Sequence, residues 1–125
     1  MTMVLVATFG VVGVFSRYYS GLAADRYFPA AFPYGTFLVN LLGAFLIGFT
    51  YVFGGRNGFI PAAIRTAIIV GFLGGFTTFS SYCLDAIRLI EEKEYRQAIC
   101  YFLLSPGLGI LGAAFGIVFA HLLGL

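Results

Sequence analysis

The residues able to do chemistry in this chain are few, and most of them crowd into one segment. Residues 71–82 read GFLGGFTTFSSY, inside a long apolar run. Gly71, Gly74 and Gly75 each weaken a helix by about 1 kcal/mol relative to alanine. Thr77, Thr78, Ser80 and Ser81 can hydrogen-bond locally and compete with helical pairing. Together they predict a break near residues 74–78. Irregular backbone at membrane depth is tolerated only where protein buries it or water reaches it. Carbonyls freed there become cation ligands. Beyond the break, Phe79 and Tyr82 are three apart and share a helix face. Aromatic edges carry partial positive charge, so two aligned rings can present edges to an anion. Packing is the alternative role for any one ring in a chain with 15 Phe and 8 Tyr.

Other polar residues in apolar surroundings are costly and are the remaining candidates. Asn40 lies in the middle of GTFLVNLLGAFLIG, residues 35–48. Its carboxamide can act as glue between helices, with Gly43, Ala44 and Gly48 allowing close approach, or it can line a polar path. Arg17 falls about one turn from the expected end of the first helix, where a guanidinium can snorkel to the headgroups. Alternatively it furnishes a cationic vestibule. No Asp or Glu falls within the central apolar windows, and that asymmetry favours an anion as the cargo. Tyr101 and Ser105 are four apart on one face. Pro106 follows, and a proline removes a backbone hydrogen bond and bends a helix. Cys83 and Cys100 have no partners at metal-ligand spacing and read as packing residues. His121 reads as interfacial.

These residues need elements to hold them, and composition says which kind. The 125 residues are 61% hydrophobic and 10% charged, against roughly 25% charged in soluble domains. A mean hydropathy of +1.00 cannot be hidden inside so small a soluble fold. A net charge of +2 argues for no nucleic-acid partner. A spanning helix needs about 20 apolar residues. Four stretches qualify: residues 1–24, 27–55, 66–84 and 97–125. Their apolar residues run consecutively rather than alternating, which disfavours a barrel. The first stretch lacks the basic start and cleavage site of a signal peptide. The expectation is one all-α, multi-pass membrane domain over residues 1–125, its third helix broken near the middle. Short connections are expected at residues 25–33, 54–61 and 88–96. Arg26, Arg88, Lys93 and Arg96 fall on one side, with Arg17 nearby; Arg56 and Arg65 fall on the other. That bias is modest, so insertion in both orientations stays open.

At this point the motifs resemble a known family. GFLGGFTTFSSY is similar to the third-helix motif of the Fluc/CrcB fluoride channels, G-F-x-G-G-x-T-T-F-S-T-F. GTFLVNLLGAFLIG resembles their second-helix motif, G-T-x-x-V-N-x-x-G-x-F-x-x-G, and Arg17 in GVVGVFSRY resembles their first-helix arginine. Length, four spans and short loops agree over the whole chain. The resemblance implies an antiparallel, dual-topology homodimer with two pores in the cell (inner) membrane. It implies passive, selective export of fluoride that lowers cytoplasmic fluoride and its toxicity. It places Asn40 in the pore and makes Phe79 the first ring of the "Phe box". Gly74 and Thr77 would give backbone carbonyls to a structural sodium ion shared by both subunits. Ser80, Tyr101 and Ser105 would form a polar track beside the rings, with Arg17 in the vestibule.

Two departures stand out. Tyr82 occupies the second ring position, where its hydroxyl adds a donor and bulk; Tyr82→Phe is expected to be tolerated, with flux equal or higher. Four-residue steps beyond Ser105 reach Gly109 and Ala113, which carry no hydroxyl. The alternatives are a small dual-topology multidrug-type exporter, another anion channel and a non-transporting membrane subunit. The exporter needs a membrane carboxylate that the first helix lacks, and the subunit leaves the clustered hydroxyls unexplained. An enzyme is disfavoured because no nucleophile, base and orienting group converge.

Overall fold

In a computed structural model, residues 1–55 and 58–125 are described; Arg56, part of the charge count above, lies outside them. The described residues hold helices and no strand. We label them α1 (Thr2–Tyr27), α2 (Tyr34–Gly55), α3 (residues 62–76), α4 (Phe79–Glu91) and α5 (Tyr95–Leu122). By length and apolarity four stretches can cross a membrane: Thr2–Tyr27, Tyr34–Gly55, Ala62–Glu91 and Tyr95–Leu122.

Helices run further into the charged segments than the sequence suggests. α1 continues past Ala24 to Tyr27, with Arg26 in its last turn, where a cation complements the helix dipole. Arg17 is therefore nearly three turns from the end of α1, not one. The third span likewise passes Leu84 and runs to Glu91. Asp85 thus lies inside a span, and the expectation of no acid there is corrected. The helix rule outweighs the charge because a terminal turn can sit at the headgroups while keeping its backbone paired.

α3 is not uniform. Residues Ala67–Leu73 form a π-helical stretch between α-helical turns at Ala62–Thr66 and Gly74–Phe76. Such wide turns are rare and occur often at functional sites. Thr77 and Thr78 then leave helical geometry, at φ −85°, ψ 157° and φ −151°, ψ 116°. α4 begins immediately afterwards with Thr78 as its cap, the side chain accepting from the Ser81 N–H. α5 passes through Pro106 as one continuous helix.

The helices associate in two pairs, α2 with α5 and α1 with α3. Lipid is as apolar as leucine, so backbone proximity rather than water exclusion drives such pairing. Glycines supply it. A Cβ on Gly13 would overlap the Phe72 carbonyl, and one on Gly116 would overlap the Phe45 carbonyl. On Gly75 it would lie 2.7 Å from the Gly10 oxygen. The interior is otherwise thin: Tyr101 is the only large side chain fully buried among the described residues. Phe32 meets its ring edge-on at 5.3 Å and Tyr82 packs against it at 5.1 Å. Most apolar side chains of α1 and α5 face outward, as expected of helices bathed in lipid or covered by another chain.

Candidate functional site

The extended pair Thr77–Thr78 organises the site, and its hydrogen bonds can be followed group by group. In an unbroken helix the Thr78 N–H would serve the Gly74 carbonyl. Here it donates to Asn40 Oδ1 at 2.7 Å. In return Asn40 Nδ2 donates to the Thr78 carbonyl at 2.9 Å. The carboxamide thus pairs with both backbone groups of one residue, as a neighbouring peptide would. The Ser81 N–H, which would serve the Thr77 carbonyl, donates to Thr78 Oγ1 at 3.2 Å. The carbonyls of Gly74 and Thr77 are therefore released from their helical donors.

The Gly75 carbonyl would pair with the Phe79 N–H in a continuous helix, and it instead accepts from Arg17 Nε at 3.0 Å. Arg17 does not simply snorkel: its guanidinium bridges α1 to the end of α3, a charge-assisted bond that also suits a helix carboxyl terminus. Thr77 closes α3 by donating from both N–H and Oγ1 to the Leu73 carbonyl, at 2.9 and 2.8 Å.

A groove of about 350 Å³ opens beside this pair. It is lined by Asn40, Gly74, Thr77, Phe79, Tyr82 and Ser105, with apolar residues between them. Six of the nine residues singled out from sequence thus share one wall-to-wall space. The other three do not line it. Arg17 borders a separate cavity of about 220 Å³ with Asp25, Thr36 and Ser81. Ser80 is exposed, its hydroxyl 3.4 Å from Thr78 Oγ1. Tyr101 is buried behind Tyr82 and directs its hydroxyl to Asp85 Oδ2 at 3.4 Å. The track expected from Tyr101 to Ser105 therefore divides, with Ser105 on the groove and Tyr101 behind it.

The two ring positions also differ. Phe79 is 77% exposed, standing free at the groove's mouth. Tyr82 is buried, its ring 5.7 Å from Phe79 and tilted 42° to it. Its hydroxyl donates to the Phe102 carbonyl on α5 at 2.9 Å. Sequence reasoning misses Asp85, because the apolar window stops at Leu84 whereas the helix runs on to Glu91. Its spacing of three from Tyr82, on the same helix face, was the available signal.

Fold and site together define a multi-pass integral membrane protein whose polar groups converge around Thr77 and Thr78. A family model described as "CrcB-like protein, Camphor Resistance (CrcB)" matches residues 4–117. The chain belongs to the CrcB family. A protein of Geotalea uraniireducens named fluoride-specific ion channel FluC is 38% identical over 122 residues, covering 98% of each chain. Proteins of the same name from Citrifermentans bemidjiense and Geobacter sulfurreducens are 43% and 40% identical, over 82% and 96% of this chain and 83% and 97% of theirs. These relatives are named as channels rather than enzymes.

Proposed function

We propose that this chain is a fluoride-specific ion channel that lets the anion leave the cell passively and so limits its toxicity. The observation that carries the reading is near-complete coverage by relatives named for that activity, at 38% identity over 98% of each chain. The groove supplies suitable chemistry. Fluoride is strongly hydrated, so a narrow path must replace its water with donors and positive edges. The Phe79 ring edge stands exposed there, with Tyr82 behind it. Asn40 and Ser105 border the same space, while Ser80, Tyr101 and Arg17 lie outside it, Arg17 on the neighbouring cavity and Tyr101 behind Tyr82. A multidrug-type exporter is disfavoured by family membership.

One copy leaves the groove open on its outer side. Phe79 is mostly exposed, and a Cβ on Gly74 would meet nothing nearer than the Ile69 oxygen at 3.8 Å. That glycine has no packing reason within its own subunit. Closure by a second, oppositely inserted copy supplies one and yields a two-pore homodimer in the cell (inner) membrane. The broken third span then has a purpose. The carbonyls released at Gly74 and Thr77 are hard oxygen donors, and two from each subunit suit a sodium ion on the two-fold axis. Those dipoles repel an anion, so the cation is structural and is not conducted.

The test is fluoride efflux from liposomes holding the purified protein, read with a fluoride electrode. Wild type should release fluoride downhill with no imposed proton gradient once charge movement is shunted. Phe79→Ile keeps bulk but removes the ring edge, and efflux should vanish while the dimer still purifies as one species. An unchanged rate in that variant sinks the ring-edge mechanism.

A further inference from the structure

The tie between Tyr82 and Phe102 has a cause in the sequence of α5. In a regular helix the N–H of residue 106 would pair with the carbonyl of Phe102, but residue 106 is proline and has no N–H. The Phe102 carbonyl is thereby left without its helical donor. α5 nevertheless continues through Pro106 as an unbroken helix. The donor that replaces the missing one is the Tyr82 hydroxyl, 2.9 Å away on the neighbouring span. Tyr82 and Pro106 both line the groove and Phe102 itself does not; its carbonyl is within hydrogen-bond reach of Tyr82, so leaving it unpaired would add a negative dipole beside the groove.

We infer that Tyr82 is a positioning residue: its hydroxyl stands in for the N–H that Pro106 lacks. It thereby masks the Phe102 carbonyl from the groove and fixes the second ring against α5. Two consequences follow from one bond. An unmasked carbonyl repels an anion passing beside it, and the masking is strongest where water is scarce. The tether also holds the Tyr82 ring, which packs against the buried Tyr101 ring at 5.1 Å, whereas the Phe79 ring is largely exposed. This reverses the expectation that Tyr82→Phe is neutral or beneficial, which counted the hydroxyl as an added donor and bulk without a partner on α5. The flux consequence rests on the channel reading above; the bond does not.

The experiment is a double-mutant cycle on the full-length protein, using Tyr82→Phe, Pro106→Ala and the pair. Each is read by fluoride efflux from liposomes and by the midpoint of thermal unfolding in detergent. Tyr82→Phe should slow efflux several-fold, because the Phe102 carbonyl then stands unpaired beside the path, and should lower the midpoint, since a carbonyl left without its partner costs stability. Adding Pro106→Ala restores an N–H to the Phe102 carbonyl, so the double variant should recover both rate and midpoint relative to Tyr82→Phe. Efflux from Tyr82→Phe at or above the wild-type rate overturns the inference, as does a defect that Pro106→Ala fails to relieve. A wild-type protein that carries no fluoride overturns the channel reading instead. The thermal cycle then still decides the bond: coupled midpoints support it and additive ones overturn it.

Discussion

Asn40 shows how one side chain can carry both a structural and a functional argument. Its carboxamide spends one acceptor and one donor on Thr78, at 2.7 and 2.9 Å. A carboxamide has a second N–H to offer, and Asn40 borders the groove. The glue role and the pore role weighed against each other in sequence are therefore compatible in one residue. Asn40→Ala leaves both backbone groups of Thr78 without that partner and allows the Thr78 N–H to return to the Gly74 carbonyl. The expected cost is about 1–3 kcal/mol for each group left unpaired, together with loss of fluoride efflux. Hydrogen–deuterium exchange of the segment around residues 77–81 checks the first part. Unchanged protection there would show that the clamp does not hold the extended pair.

At the scale of elements, the glycines decide how near the helices come. Gly13 of α1 sits directly on the Phe72 backbone of α3, where a Cβ would overlap the carbonyl. Backbone cannot swing aside as a flexible side chain can, so Gly13→Ala must part the two helices. Overpacking of this kind costs about 1–3 kcal/mol. The shift would also stretch the Arg17 contact with Gly75, four residues further along α1. The expected result is a lower thermal midpoint and slower efflux together. Gly107, where a Cβ would meet nothing within 4 Å, is the control, and Gly107→Ala should be far milder. A Gly13→Ala protein as stable as the Gly107→Ala one would remove the close-approach argument.

For the whole molecule, the case for a partner follows from what one chain leaves uncovered. The Phe79 ring, the outer face of Gly74 and most of α1 have no cover within the subunit. An antiparallel homodimer predicts that a single cysteine in a loop, on a background lacking Cys83 and Cys100, is labelled from both sides of the membrane. Labelling confined to one side contradicts dual topology. A sodium ion held by carbonyls of two copies would likewise be a property of the assembly. Replacing sodium with a bulky organic cation should abolish efflux and weaken the dimer; full activity without sodium or lithium would discard the ion.

Composition and pattern alone determined the membrane setting, the four spans and the segment where polar chemistry concentrates. These are properties of consecutive apolar length and of local glycine and hydroxyl content, which need no knowledge of neighbours. The motifs in residues 35–48 and 71–82 also point to the family without any geometry. Only the tertiary structure decided what each polar group bonds to. Arg17 reaches Gly75 across 58 positions of chain, and Asn40 reaches Thr78 across 38. Such pairings depend on how two helices are rotated and how closely glycine lets them approach, and periodicity within one helix carries no record of either. The same holds for Tyr82, whose hydroxyl gains its meaning from a proline 24 residues later on another span. Helix ends escape the sequence for a related reason. Charge marks where a residue prefers water, but a helix can carry that charge to the headgroups and continue, because its backbone is satisfied only while it remains a helix.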